Sequence, residues 1–200
     1  MIGRIVPNKR LEEAIEIVQK VRDVGLDVKL TIVGRVNTGY GRRFVRKWRL
    51  HPWVTVVENA SSSTKNSVLS QATLGLHTYQ HEHFGIAVGE MIHAGVLPVV
   101  FDGGGVVELA FDPALRFVNK MDAAQKIVFL LAAPSEYKNE LVRRLHRGAA
   151  VIPPFVEAFG TRTTRPFGTG LVSWHLNCRR NSEGLLHYFP RFQPMRFIPL

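Results

Sequence analysis

Two hydrophobic rhythms alternate along the first 150 residues. Leu11, Ala14, Ile15, Val18 and Val21 recur at helical spacing, while Glu12, Glu13, Glu16, Gln19 and Lys20 take the other face. That pattern predicts an amphipathic helix ending near Gly25. Residues 1–6 before it read as a strand end, and Pro7-Asn8 as a turn with Asn8 as the helix N-cap. Short apolar runs rich in β-branched residues follow at 28–33, 53–57, 73–78 and 97–101, with a weaker one at 116–118. Between them, 40–50, 64–71 and 85–93 read as helices. Ser61 to Ser63 cap the second, and Gly95 ends the third. Two further helices are expected near 121–132 and 135–147.

Strand and helix alternating across short connections predict an α/β fold, a doubly wound parallel sheet with helices on both faces. In such sheets ligands bind outside the carboxyl ends of the strands. The loops that matter are therefore 3–9, 34–40, 58–63, 78–84 and 102–105. From Ile152 onward neither rhythm persists, and prolines stand at 153, 154, 166, 190, 194 and 199. The expected organisation is a ligand-binding domain over 1–150 and an irregular basic tail over 151–200, poorly ordered or in need of a partner.

Composition narrows the class. With 200 residues, 46% hydrophobic and 21% charged, the chain has enough apolar surface for one domain with a true core. No apolar run approaches the roughly 18–20 residues of a membrane span, and the start lacks the basic and apolar segments of a signal peptide. The single cysteine, Cys178, excludes an internal disulfide and a cysteine-built metal site. A cytoplasmic protein is expected. The net charge of +10 is concentrated in two places. One is Arg35, Arg42, Arg43, Arg46, Lys47 and Arg49; the other is the arginines of 161–200. Such clusters suit an anionic partner: nucleic acid, phospholipid headgroups or a phosphorylated small molecule.

The stretch from Glu82 to Glu90, EHFGIAVGE, is the most informative. Glu82 lies in a loop at a strand's carboxyl end, and a helix begins just beyond it. The first N–H groups of that helix have no intrahelical partner and carry partial positive charge, which makes an anion site suited to phosphate. Gly85 permits close backbone approach. Glu90 sits among Ile86, Ala87, Val88, Met91 and Ile92, so it is expected to be buried, with ligand hydroxyls or a neighbouring N–H or Arg as partners. Arg4 at a strand end and Lys9 at the opening of the next helix can hold a diphosphate. Gly103-Gly104-Gly105, with Glu108 beyond, lets a backbone pass close to a ligand or serves as a plain turn. No GxxxxGK[ST], GxGxxG or GxSxG motif is present. His77, His81, Glu82 and His83 cluster without metal-site spacing, so no metal site is expected.

Taken together, these residues resemble the donor-binding, Rossmann-like C-terminal half of retaining glycosyltransferases of the two-domain GT-B type, glycosyl transferases group 1. The specific piece is Glu82 and Glu90 as the Glu-x7-Glu motif, followed by AGVLPVVFDGGGVVE. Gly3-Arg4 with Lys9 looks like the family's diphosphate clamp, and Gly34 like its strand-end glycine. The string GLHTYQHEHFGI is similar to mannosyltransferases that extend lipid-linked oligosaccharides and to their archaeal relatives. The resemblance covers about residues 1–147. It implies a nucleotide-sugar donor, GDP-mannose ahead of a UDP-sugar, with no separate cofactor. It also implies the site. Gly3, Arg4 and Lys9 meet the diphosphate. Glu90 accepts from ribose hydroxyls. Glu82, the candidate catalytic residue, bonds sugar hydroxyls. Backbone of His83, Phe84, Gly85, Ile86 and Ala87 holds phosphate and sugar. The family's first domain, which binds the acceptor, has no counterpart here. A separate acceptor domain or partner chain is therefore expected, with a lipid-linked saccharide as acceptor and peripheral membrane contact.

Two other classes compete. One is an α/β protein that binds nucleic acid or an anionic membrane through the basic clusters, with Trp48 stacking on a base or sitting at an interface. Of its two partners, nucleic acid ranks lower. The other is a non-catalytic nucleotide-sugar-binding subunit.

Overall fold

A computed structural model describes residues 1–150; the tail expected over 151–200, Cys178 included, lies outside the described residues. The strands are β1 (Ile2–Arg4), β2 (Leu30–Arg35), β3 (Val54–Glu58), β4 (Leu74–His77), β5 (Leu97–Phe101) and β6 (Arg116–Phe117). The helices are α1 (Leu11–Asp23), α2 (Gly39–Trp48), α3 (Ser62–Gln71), α4 (Ile86–His93), α5 (Val106–Leu109), α6 (Lys120–Ala132) and α7 (Ser135–Ala149). All strand pairs are parallel, as the alternation predicts, since each crossover carries a helix.

The ladders form two three-stranded sheets, β1-β2-β3 and β4-β5-β6, rather than one continuous sheet. β1 gives its hydrogen bonds to β2, with Gly3 opposite Gly34 and Arg4 opposite Arg35. Side chains join the halves. Ile2, Val33, Leu69, Met91 and Val96 form one buried cluster, and the Thr78 hydroxyl donates to the carbonyls of Lys9 (2.7 Å) and Arg10 (3.2 Å). The loops after β1 and β4 are thereby fastened together at the carboxyl ends of both strands.

Burial follows the apolar rhythm. Leu97, Val99 and Val100 of β5 are wholly buried, as expected of a parallel strand covered on both faces. Helix α1 buries Leu11, Ala14, Ile15, Ile17, Val18 and Val21 and packs against α6. Thr38, Ser61 and Asn119 cap α2, α3 and α6 with their side chains.

Several local expectations are corrected. Asn8 does not cap α1. Pro7–Lys9 form a 3-10 turn, and Arg10, in the left-handed region at φ 52°, is the residue before the helix. The fixed φ of Pro7 suits that tighter turn, and Lys9 closes it instead of opening the helix. Gly34 does not end β2, which runs on through Arg35. Trp48 is not free to stack on a base. Its ring lies against Phe44 and His51, its Nε1 is buried, and the Lys47 ammonium sits 4.9 Å over its face. The four-residue α5 was not legible in the sequence, being too short to display a period. No helix among the described residues is long and apolar enough to cross a membrane.

Candidate functional site

An open cleft of about 470 Å³ lies at the carboxyl ends of β1 and β2 and the start of α4. Of the residues singled out in the sequence, Gly3, Arg4, Lys9, Glu82, Ile86, Ala87 and Glu90 line it. His83, Phe84 and Gly85 do not: His83 points outward, Phe84 packs on the core, and Gly85 is buried behind the loop. Gly85 has a structural duty there. It precedes α4 at φ +85°, and a Cβ would stand 2.5 Å from Val106 Cγ1.

Glu82 is held from two sides. Lys9 Nζ donates to its Oε2 at 2.6 Å, while His77 Nε2, on a side chain 4% exposed, lies 3.5 Å from the same oxygen without an aligned hydrogen bond. Lys9 also stands 4.5 Å over the Tyr79 ring. His77 and Lys9 hold the Glu82 carboxyl down at about 2, against an upward push from partial burial. Of the two contacts, the aligned 2.6 Å bond from Lys9 is the firmer. Glu82 is therefore a carboxylate at neutral pH. It accepts hydrogen bonds and has no proton to donate.

The loop carrying Glu82 rests on the three glycines. The Gly105 N–H donates to the Glu82 carbonyl at 2.7 Å. A Cβ on Gly105 would lie 1.5 Å from the His83 carbonyl oxygen, and one on Gly104 2.3 Å from that of Glu82. The close approach expected at this turn is thus to the chain's own Glu82–His83 backbone, and Glu108 is exposed outside the cleft lining.

Glu90 departs from expectation. Its side chain is 25% exposed and forms an ion pair with Lys65 of α3, with which it shares the cleft wall. The face of α4 bearing Ile86, itself 62% exposed, opens into the cleft instead of the core. Lys65, Arg35, Asn59 and Ala60 also line the cleft and were missed as site residues. Three of them lay in loops expected at strand carboxyl ends, Arg35 in 34–40 and Asn59 and Ala60 in 58–63, whereas nothing in the sequence pointed to Lys65. Arg4 and Arg35, register neighbours on β1 and β2, are both exposed and form no ion pair among the described residues. The cleft thus holds four cations (Arg4, Lys9, Arg35, Lys65) and two carboxylates (Glu82, Glu90). The N–H groups of Ile86 and Ala87, which lack an intrahelical acceptor, open on the same space. This arrangement can hold a multiply charged anion that also presents hydroxyl groups. Among the described residues no three His, Cys, Asp or Glu side chains are grouped to hold a metal ion.

The chain is 36% identical over 94 residues to a Dictyostelium discoideum protein named GDP-Man:Man(3)GlcNAc(2)-PP-Dol alpha-1,2-mannosyltransferase, covering 44% of this chain and 19% of that protein. It is 30% identical over 142 residues to a protein of the same name from Neurospora crassa, covering 64% of this chain and 26% of that one. The chain therefore spans about a fifth to a quarter of these relatives' length. In fold it is similar to a TarM mutant from S. aureus in complex with fondaparinux, alpha-GlcNAc-glycerol and UDP. That likeness has a TM-score of 0.60 at 22% identity, covering 80% of this chain and 32% of that one. The profile of the family described as glycosyl transferases group 1 matches residues 1–147, nearly all of the described structure, and the chain belongs to that family.

Proposed function

We propose that this chain is the nucleotide-sugar-binding part of a retaining hexosyltransferase, with GDP-mannose as donor and a lipid-linked saccharide as acceptor. In this reading catalysis needs a further acceptor-binding domain or chain. The observation that carries the proposal is the cleft, where free Arg4 and Arg35, the Lys9–Glu82 and Lys65–Glu90 pairs, and the start of α4 converge. The mannosyl donor is supported by the names of the Dictyostelium and Neurospora relatives. The leaving group in such a transfer is a nucleoside diphosphate whose negative charge grows as the glycosidic bond breaks. Arg4, Lys9 and the Ile86 and Ala87 N–H groups supply fixed positive charge for it. Glu90 accepts from ribose hydroxyls, and its ion pair with Lys65 holds that carboxylate in place on the cleft wall. Glu82, ionised down to a pH of about 2, accepts from sugar hydroxyls and carries no proton in the reaction.

Calorimetric titration of the 200-residue chain with GDP and with UDP tests this directly. GDP is expected to bind saturably and more tightly than UDP. Glu90→Gln is expected to weaken GDP by about tenfold, the loss of one hydrogen bond to a charged, largely buried acceptor. A preference for UDP would overturn the mannosyl donor. Failure of a folded chain to bind either nucleotide would overturn the donor site.

A further inference from the structure

The basic helix α2 lies outside the cleft, and the donor site gives it no role. Arg42, Arg43, Arg46, Lys47 and Arg49 are all exposed, and none forms an ion pair among the described residues. Between Asp27 and Glu58 the chain contains no acidic residue at all. Among the described residues the one carboxylate that reaches α2 is Glu12, which accepts from the Tyr40 hydroxyl at 2.6 Å, at the start of the helix. At about 100° per residue, Arg49, Arg42, Arg46, Arg43 and Lys47 fall in that order around an arc of about 160°. Gly41, Phe44 and Val45 occupy the opposite face and are buried. The core therefore fixes which side of α2 faces solvent.

One apolar side chain stands in that basic arc. Leu50 is 94% exposed, the most exposed large hydrophobic residue among those described. Arg49 keeps right-handed helical φ and ψ, so the helical phase carries Leu50 to the middle of the arc. Five unpaired cations around a projecting leucine match the two layers of a bilayer surface, headgroup charge outside and acyl chains beneath. Single-stranded nucleic acid would call for an open aromatic ring among the cations, and the nearest, Trp48, is covered by Phe44 and His51.

The geometry points to the α2 face as a docking surface for an anionic lipid bilayer, with the cations on the headgroups and Leu50 below them. This is independent of the donor reading, because none of the six residues lines the cleft.

The test is co-sedimentation of the full chain with vesicles of phosphatidylcholine, with and without phosphatidylserine. The arginines of 161–200 can also attract anionic vesicles, so binding by the parent protein alone does not discriminate. Two variants isolate α2: the triple Arg42→Glu/Arg46→Glu/Arg49→Glu, and Leu50→Asp, which changes one fully projecting side chain and leaves the helix intact. The triple variant is expected to bind serine-containing vesicles about tenfold or more weakly, and Leu50→Asp several-fold more weakly. Both are expected to keep the parent's affinity for GDP and its unfolding temperature. Vesicle binding that stays within about twofold of the parent in either variant would overturn the proposal. So would α2-dependent binding to a single-stranded RNA oligonucleotide that exceeds binding to the vesicles. Loss of GDP binding in the parent itself would strike the donor reading and leave this one standing.

Discussion

Lys9→Met is expected to lower the affinity for GDP by about ten- to hundredfold, one charge-assisted contact to a diphosphate. Methionine keeps an unbranched stem at position 9 and removes the ammonium, together with its 4.5 Å contact over the Tyr79 ring. That ammonium has two tasks. In the structure as it stands it bonds Glu82 Oε2 at 2.6 Å, and it lines the cleft where a diphosphate would lie. The variant therefore has a second readout, the ionisation of Glu82. His77 and Lys9 together hold that carboxyl at about 2, below its usual 4.5. A carboxylate with a lowered folded pKa stabilises the fold above its unfolded value, and the contribution is lost as pH falls toward the folded value. In the parent this loss spans pH 4.5 to about 2. With Lys9 gone the Glu82 pKa rises toward 4.5, and the gap in stability between parent and variant closes across that window. The group is partly exposed, so the gap at neutral pH is at most about 1 kcal/mol. Lys120→Met, which removes an exposed ammonium paired with Glu16 outside the cleft lining, should leave GDP affinity unchanged. If Lys9→Met binds GDP like Lys120→Met, the cation at position 9 does not meet the diphosphate.

Much of this site was legible in the sequence because it is local. The seven-residue interval between Glu82 and Glu90 lies within one loop and one helix, and Arg4 and Lys9 flank a single turn. The apolar run of β5 was bounded to the residue, because a fully buried parallel strand has no polar position to blur its ends. What escaped the sequence was contact between elements. Lys65 meets Glu90 across 25 residues, from a helix with a single buried residue, Leu69, and hence no strong period to fix its facing. Glu90 was placed in the core because its helix is apolar almost throughout. Yet α4 spends Ile86 and Ala87 on the cleft, and apolar composition alone does not tell a cleft wall from a core. The partner of the glycine turn was hidden for another reason. It is backbone, the carbonyls of Glu82 and His83, and backbone carries no signature in sequence.

That backbone contact makes Gly105 the position where a single methyl group should do most harm. A Cβ there would stand 1.5 Å from the His83 carbonyl oxygen and 2.7 Å from its carbon. Neither is the end of a side chain that could turn aside, so one of two loops must move. Moving either is costly. The Gly105 N–H is committed to the Glu82 carbonyl at 2.7 Å, and the next residue, Val106, is wholly buried with its Cγ1 filling the space that Gly85 leaves. Gly105→Ala is therefore expected to destabilise the fold by about 3 kcal/mol or more, at the upper end of overpacking. For a domain of this size that is a fall of about 6–12 °C in unfolding temperature. GDP affinity should fall with it, because the segment displaced is the one that sets Glu82 against Lys9. Gly95→Ala is the contrasting case: φ is +79°, but a Cβ there would meet nothing within 4 Å. Its cost is backbone strain alone, about 1 kcal/mol, with GDP affinity unchanged. Equal losses in the two variants would mean that collision with the Glu82–His83 backbone contributes nothing, and that the glycine turn does not hold the site. A larger loss at Gly105, accompanied by weaker GDP binding, would tie the architecture of the turn to the chemistry of the cleft.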